Sequence, residues 1–252
     1  MKRLVAFDLD GTLAESKQAI DAEMSALLAR LSAKASVAVI SGGDWPQFEQ
    51  QLVGNLPAEI DLRRWFLLPT SGTKLYRYQD GDWRQIYAQN FSDDERKLIL
   101  GALEAVVSVA GLSNGESWGE RIEDRGSQIT FSGLGQHAPL DAKKAWDSDF
   151  AKRKRLQDLL VPRLPGFAVR VGGSTSIDIT RQGVDKAYGM RQLAEVAGIK
   201  TQDMIFLGDA IYPGGNDDSV RTAGIDSIAV RDIHETKRVI EGIALCLDDA
   251  RA

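Results

Sequence analysis

Asp8 and Asp10 flank Leu9 at the end of a short apolar run, and Gly11-Thr12 follows them. Residues two apart on an extended strand project to the same side, so the two carboxylates share one small site if the strand geometry persists that far. Such a pair can divide labour. One carboxylate attacks phosphorus; the other, kept protonated by its neighbour, donates to the leaving oxygen and later takes a proton from the acceptor. An acidic turn that caps the next element accounts for the same five residues, so the pair needs support from elsewhere in the chain.

Three further groups offer that support. Ser41 and Gly42 close a second apolar run, Val37–Ile40, where a hydroxyl and free backbone N–H groups ahead of a helix can hold phosphoryl oxygens; helix capping is the competing account. Lys186 opens a helix, a poor place for a cation because that end of the dipole is already positive. An ammonium there can pair with Asp8 and neutralise a transferring phosphoryl group, although a solvated surface lysine explains the residue equally well in isolation. Gly208-Asp209 then opens a Gly-rich acidic loop running through Pro213-Gly214-Gly215-Asn216-Asp217-Asp218. Carboxylates at the end of a strand suit Mg²⁺, a hard cation that takes oxygen ligands, water and substrate phosphate, while turn chemistry alone also accounts for Gly-Gly-Asn.

The elements that must position these groups follow from periodicity. Leu4–Phe7 and Val37–Ile40 read as strands buried on both faces of a parallel sheet, with a helical period through Ile20, Met24, Leu27, Leu28 and Leu31 between them. A helix opened by Asp44 and Pro46 comes next, then a strand to Leu68, a turn at Ser71-Gly72 and a hairpin turned at Asp80-Gly81. Ser92 to Glu95 forms a capping-box start to a helix through Leu98, Leu103 and Val107. The following region is strand-rich, and Gln128–Ser132 and Ser176–Thr180 alternate as antiparallel strands with one wet face do. From Lys186 a helix through Met190, Leu193 and Val196 ends at Gly198, the strand Met204–Leu207 follows, and one more strand and helix complete the chain. The expectation is an α/β fold: a Rossmann-like doubly wound parallel-sheet core, residues 1–86 and 185–252, interrupted by an inserted α/β cap, 87–184, that serves as a lid. All four chemical groups then lie at carboxyl ends of core strands, where open α/β sheets gather their ligands.

Composition narrows the function. With 252 residues, 43% hydrophobic and 27% charged, the chain is an ordinary globular one, long enough for a core and an insert. Its net charge of -5 gives no field to attract nucleic acid or an anionic membrane. The Lys152–Arg155 run is short, lies near Asp147 and Asp149, and reads as a solvated helix face. A single cysteine, Cys246, excludes an intrachain disulfide and favours a reducing compartment, and the Leu4–Phe7 run is far too short for a secretory or spanning segment, so the expected location is the cytoplasm.

Asp8-Leu9-Asp10-Gly11-Thr12-Leu13, Ser41-Gly42, Lys186 and Gly208-Asp209 with Asn216-Asp217 together resemble the four motifs of the haloacid dehalogenase superfamily across the whole chain. The resemblance implies Asp8 as the nucleophile of an aspartyl-phosphate, Asp10 as general acid/base, Ser41 as a phosphoryl contact with Gly42 beside it, and Lys186 as charge partner. It implies a Mg²⁺ site drawn from Asp8, Asp10, Asp209 and Asp217, with Asp10 contributing its backbone carbonyl. The acid at position 10 points to phosphatases and phosphomutases rather than dehalogenases or ion-pumping ATPases.

A closer resemblance is to the eukaryotic-type phosphomannomutases, in the long Pro213–Asp217 loop and in Arg125-Gly126, Gly133-Leu134-Gly135, Gly172–Asp178 and Gly183–Lys186. It implies Arg125 on a distal phosphate, Ser176 and Asp178 on the sugar phosphate, a hexose bisphosphate activator if the enzyme is a mutase, and a homodimer through the cap. Two positions depart from that pattern. Gln136 and Lys143 stand where arginines are expected, and arginine grips phosphate bidentately whereas lysine acts as a point charge. Lys143 therefore remains a candidate contact, with Arg121 and Lys144 as further cations, and a sugar-phosphate phosphatase stays the close rival of a mutase. A catalytically silent sugar-phosphate-binding protein is the alternative of another class, against which the intact Asp8, Asp10 and Lys186 set stands.

Overall fold

Leu4–Phe7 carries no polar residue and is buried throughout, and it forms β1. The computed structural model describes residues 2–112 and 115–249. After β1 come α1 (Ala22–Ser32), capped by the Asp21 side chain on the Met24 N–H, β2 (Ser36–Ile40), α2 (Trp45–Gln51) and β3 (Trp65–Leu68). The antiparallel β4 (Lys74–Gln79) and β5 (Asp82–Ala88) turn at Asp80 and Gly81, both at positive φ, as a two-residue hairpin with right-handed strand twist requires.

The inserted elements are α3 (Asp93–Val109), β6 (Ile122–Asp124), β7 (Ile129–Ser132), α4 (Leu140–Trp146), α5 (Ala151–Leu160), β8 (Phe167–Val171) and β9 (Ser176–Arg181). The chain then returns with α6 (Lys186–Ala197), which ends on left-handed Gly198, β10 (Met204–Gly208), α7 (Asp218–Thr222), β11 (Ser227–Ala229) and α8 (Ile233–Asp249). Two units result, 1–88 with 185–252 and 89–184. Ala88 still pairs with Lys74 across the β4–β5 hairpin, which keeps the last residues of β5 with the first unit.

In the first unit, the described residues form a seven-stranded sheet in the order β11-β10-β1-β2-β3-β4-β5. The five strands from β11 to β3 are parallel, and the hairpin adds two antiparallel ones. Alternation splits the apolar residues between the two faces. Val5, Phe7, Val37, Val39, Trp65 and Leu67 pack with Met24, Leu28, Phe48 and Ile240, while Leu4, Ala6, Ala38, Ile40, Phe66 and Leu68 pack with Met190, Leu193 and Val220. Helices on both faces make the core doubly wound. Phe7 is level with both Val39 and Leu207, so Asp8 and the residues after β2 and β10 emerge at one edge.

The second unit is an antiparallel sheet, β6-β7-β9-β8, with one apolar face under α3 and α5: Ile129, Phe131, Ile177 and Ile179 meet Ile99, Leu103, Val106 and Leu156. The capping box at Ser92 and Glu95 is formed in both directions. On α3, Leu98 and Val109 remain exposed. The expected wet face of Gln128–Ser132 is a correction: Gln128, Thr130 and Ser132 are buried. Their polar atoms are satisfied sideways, Gln128 Nε2 donating to Thr130 Oγ1, Thr130 Oγ1 to Asp178, and Ser132 Oγ to the Gly135 carbonyl. Burial of polar side chains is tolerated when they pair with one another. Among the described residues, no helix is long and apolar enough to cross a membrane.

Candidate active site

Asp8 extends the β1 ladder by one bond, its N–H donating to the Leu207 carbonyl at 2.9 Å, and its side chain is almost fully buried. Lys186, the first residue of α6, donates from Nζ to both Asp8 Oδ1 and Asp217 Oδ1. Burial pushes the Asp8 carboxyl up to about 8; Lys186 pulls it down, and Asp217 and Asp209 push it up again. Asp209 is raised as well, by burial first and then by Asp217. Burial lowers the Lys186 ammonium, but Asp217 and Asp8 outweigh that and hold it above its usual range. Two buried carboxylates thus share one ammonium, with the exposed Asp209 carboxylate beside them, and the arrangement has room, electrostatically, for a further cation.

Asp8, Asp209 and Asp217 each offer an oxygen, all within 4.8 Å of one another. Hard oxygen donors with surplus negative charge fit a divalent cation such as Mg²⁺. Their placement depends on two glycines. Gly11 sits at φ +87, and a Cβ there would collide with the Asp209 carboxylate; a Cβ on Gly208 would collide with that of Asp217. Backbone bonds fix the same loop, Asp209 N–H to Thr12 Oγ1 and Ala210 N–H to Asp217 Oδ2, each at 3.1 Å.

The Asp10 carboxylate is not in this group. It accepts from Lys17 N–H at 2.8 Å, Gln47 Nε2 at 2.8 Å and Gln51 Nε2 at 3.1 Å. The small site expected to be shared by the Asp8 and Asp10 carboxylates is thus not formed, and the carboxylate oxygens grouped for a metal come from Asp8, Asp209 and Asp217.

Ser41 and Gly42 lie in the turn between β2 and α2, with Gly43 N–H donating to Ser41 Oγ at 3.2 Å. A turn after β3 holds this segment: Ser71 N–H donates to the Ser41 carbonyl at 2.8 Å and Thr70 N–H to the Gly43 carbonyl at 2.9 Å. Thr70, Ser71 and Gly72 all have positive φ, costly for a β-branched threonine, and strain of this kind persists only where surrounding structure enforces it. Gly72 lies so close to Gly189 of α6 that a Cβ on it would strike the Gly189 Cα. The turn that braces the Ser41 loop thus also packs against the helix that carries Lys186.

In the second unit, Glu123, Thr130, Asp178 and Arg170 form one cross-strand row. Arg125 is buried and pairs with Glu123 at 2.6 Å, and burial raises the Asp178 carboxyl against the pull of Arg125. Ser176 lies two residues from Asp178 on the same strand, and a Cβ on Gly172 would meet both side chains. Lys143 is in the last turn of α4, outside those strands. Sequence reasoning placed the turn at Ser71-Gly72 but missed Gln47, Gln51 and Glu123. Only the four-residue spacing of the two glutamines offered a signal.

The family model for eukaryotic phosphomannomutase matches residues 24–243. Relatives include phosphomannomutase 1 of Mus musculus, 25% identical over 240 residues, 91% of this chain and 88% of that protein. Phosphomannomutase of Schizosaccharomyces pombe is 28% identical over 227 residues, covering 86% and 84%. Among solved structures, a haloacid dehalogenase-like hydrolase from Bacteroides thetaiotaomicron superposes with a TM-score of 0.64 at 17% identity, covering 96% of this chain and 100% of that one, which shows the fold. The chain is an enzyme, a phosphotransferase or phosphatase, and it belongs to the eukaryotic phosphomannomutase family.

Proposed function

We propose that the chain moves a phosphoryl group on a hexose phosphate through an aspartyl-phosphate at Asp8, interconverting mannose 1-phosphate and mannose 6-phosphate. The observation that carries this reading is the buried Asp8–Lys186–Asp217 cluster at the carboxyl edge of the sheet. Asp8 Oδ attacks phosphorus, the bond from phosphorus to the sugar oxygen breaks, and Asp10 as the acid gives its proton to that oxygen. In the second half, Asp10 takes the proton of the acceptor hydroxyl as that oxygen attacks the aspartyl-phosphate and frees Asp8. Lys186 and Ser41 bind the phosphoryl oxygens. Asp8, Asp209 and Asp217, with the Asp10 carbonyl, would hold Mg²⁺, which supplies further neutralisation of phosphoryl charge. Arg125, Ser176, Asp178 and Lys143 recognise the sugar and its distal phosphate. The single exposed Cys246 suits a reducing, cytoplasmic setting, and the exposed Leu98 and Val109 on α3 suit self-association of the second unit.

A sugar-phosphate phosphatase is the second reading, favoured by Gln136 standing where the mutase pattern has an arginine. A mutase must hold its bisphosphate intermediate and keep water out; a phosphatase needs only to admit water to the aspartyl-phosphate. Incubation with Mg²⁺, mannose 1-phosphate and catalytic glucose 1,6-bisphosphate, with hexose 6-phosphate and free phosphate followed together, separates them. Hexose 6-phosphate without matching phosphate supports the mutase, phosphate alone makes it a phosphatase, and silence in both channels contradicts the proposal.

A further inference from the structure

Gln47 and Gln51 stand four residues apart on α2, hence one turn apart on the same face. Both side-chain amides reach the Asp10 carboxylate, Gln47 on Oδ2 and Gln51 on Oδ1, where the Lys17 N–H also donates. With both oxygens engaged from different directions, the plane of the carboxyl group is fixed. Lys17 presents its N–H from a left-handed conformation, φ 59, which an L-residue adopts reluctantly.

Packing alone does not explain these amides. Gln51 is 1% exposed, its Nε2 divides between Asp10 and the Gln18 carbonyl, and its Oε1 is buried with no hydrogen-bond partner. A buried acceptor left unpaired is unfavourable, and an apolar side chain of equal length would avoid it. What the amide provides is its N–H. Gln47 is accommodated in turn by Gly43, where a Cβ would collide with Gln47 Oε1, so the same side chain links the Ser41 loop to Asp10.

We propose that Gln47 and Gln51 are positioning residues for Asp10, holding its carboxyl in the orientation from which it delivers a proton to the departing sugar oxygen. The inference rests on the reading of Asp10 as the general acid. Proton transfer demands a donor held within hydrogen-bond reach of its target, so a carboxyl group free to rotate loses rate in the steps that need the proton. Substrate binding, which does not need it, is spared.

The test compares two leaving groups. A sugar alkoxide needs a proton as its bond to phosphorus breaks, whereas p-nitrophenolate departs with the electron pair and no proton. The variants Gln47→Met, Gln51→Met and the double change are followed with Mg²⁺ in single turnovers, enzyme in excess, on mannose 1-phosphate and on p-nitrophenyl phosphate, beside Asp10→Asn. Release of the leaving group is read, so that the later discharge of the aspartyl-phosphate, in which Asp10 is the base, does not enter. The ratio of the two rate constants in one preparation cancels any misfolded fraction. For the double variant we expect the rate of release from the hexose phosphate to fall about 10- to 100-fold, with the half-saturating concentration little changed, and the loss on p-nitrophenyl phosphate to be about tenfold smaller. Asp10→Asn is expected to follow the same pattern more strongly. Equal losses on both substrates, or none, overturn the positioning role while Asp10→Asn still discriminates. If Asp10→Asn itself loses equally on both, the acid assignment fails and the proposal with it.

Discussion

Lys186 and Asp8, 178 positions apart in sequence, meet as an ion pair in which neither side chain is more than 5% exposed, and the same ammonium holds Asp217. A lone buried ion pair is weak evidence of stability, since desolvation offsets its attraction. One ammonium bonded to two carboxylates with a third close by is better explained by chemistry: it keeps the nucleophile Asp8 and the oxygen donor Asp217 in place without saturating the charge of the group.

Lys186→Met removes the cation and keeps the length of the side chain. Turnover of a hexose phosphate is expected to fall about 10³-fold or more, because phosphoryl charge loses a fixed partner at the point where it is transferred. Steady-state kcat with saturating Mg²⁺ checks this. A loss below about tenfold would make Lys186 structural.

The raised Asp8 carboxyl links metal binding to pH. Its ordinary value is 3.8 and burial lifts it to about 8, so between those values the folded, metal-free protein holds a proton that the unfolded chain has released. Through this group, stability therefore falls as pH rises from about 4 to about 8. A cation bound by the ionised carboxylate displaces that proton, and its affinity rises over the same interval. Thermal melts with Mg²⁺ and with EDTA should show a Tm increment from Mg²⁺ that is larger at pH 8 than at pH 6. An increment independent of pH contradicts the linkage.

Gly11→Ala places a methyl group against the Asp209 carboxylate at a backbone φ of +87. The expected result is a stability loss of about 1–3 kcal/mol from the strained conformation and a clear weakening of Mg²⁺ binding from the displaced carboxylate. Calorimetric titration with Mg²⁺ separates the two effects. Unchanged affinity would remove Asp209 from the metal group.

Much of this was legible in the sequence, for physical reasons. Asp8, Asp209 and Ser41 each follow an apolar run buried on both faces, and such runs announce both the parallel strand and the edge at which it ends. Lys186 was visible through its conflict with the helix dipole. The burial of Gln128 to Ser132 was not, because alternation reports which residues share a face and not whether other polar groups cover it. The turn at Ser71-Gly72 was legible but its strained backbone was not: neither threonine nor serine favours positive φ, and part of what holds that conformation is the pair of carbonyls of Ser41 and Gly43, distant in sequence. Gln47 and Gln51 carry no charge, and their role depends on where Asp10 turns.

The solvated face read for Lys152–Arg155 holds for Lys152, Lys154 and Arg155 but not for Arg153, whose side chain is 3% exposed and braces the second unit by donating to Asp147 Oδ2 at 2.7 Å and to the carbonyls of Gly172 and Gly173. Arg153→Met leaves the Asp147 carboxylate buried without its cation, and about 3–5 kcal/mol of destabilisation is expected. Because Gly172 lies against Ser176 and Asp178, KM for the hexose phosphate should rise as well. Denaturant melts and steady-state kinetics check the two outcomes, and a loss under about 1 kcal/mol contradicts the bracing role.

The central claim is the covalent bond at Asp8. The protein is mixed with Mg²⁺, mannose 1-phosphate and catalytic glucose 1,6-bisphosphate, quenched in acid during turnover and treated with borohydride, which reduces an aspartyl-phosphate to homoserine; peptide mass spectrometry then locates the change. The account predicts homoserine at position 8 in the wild type, and neither modification nor turnover in Asp8→Asn with its Tm preserved. Turnover of the sugar phosphate with position 8 unmodified, or with the modification at another carboxylate, would contradict it.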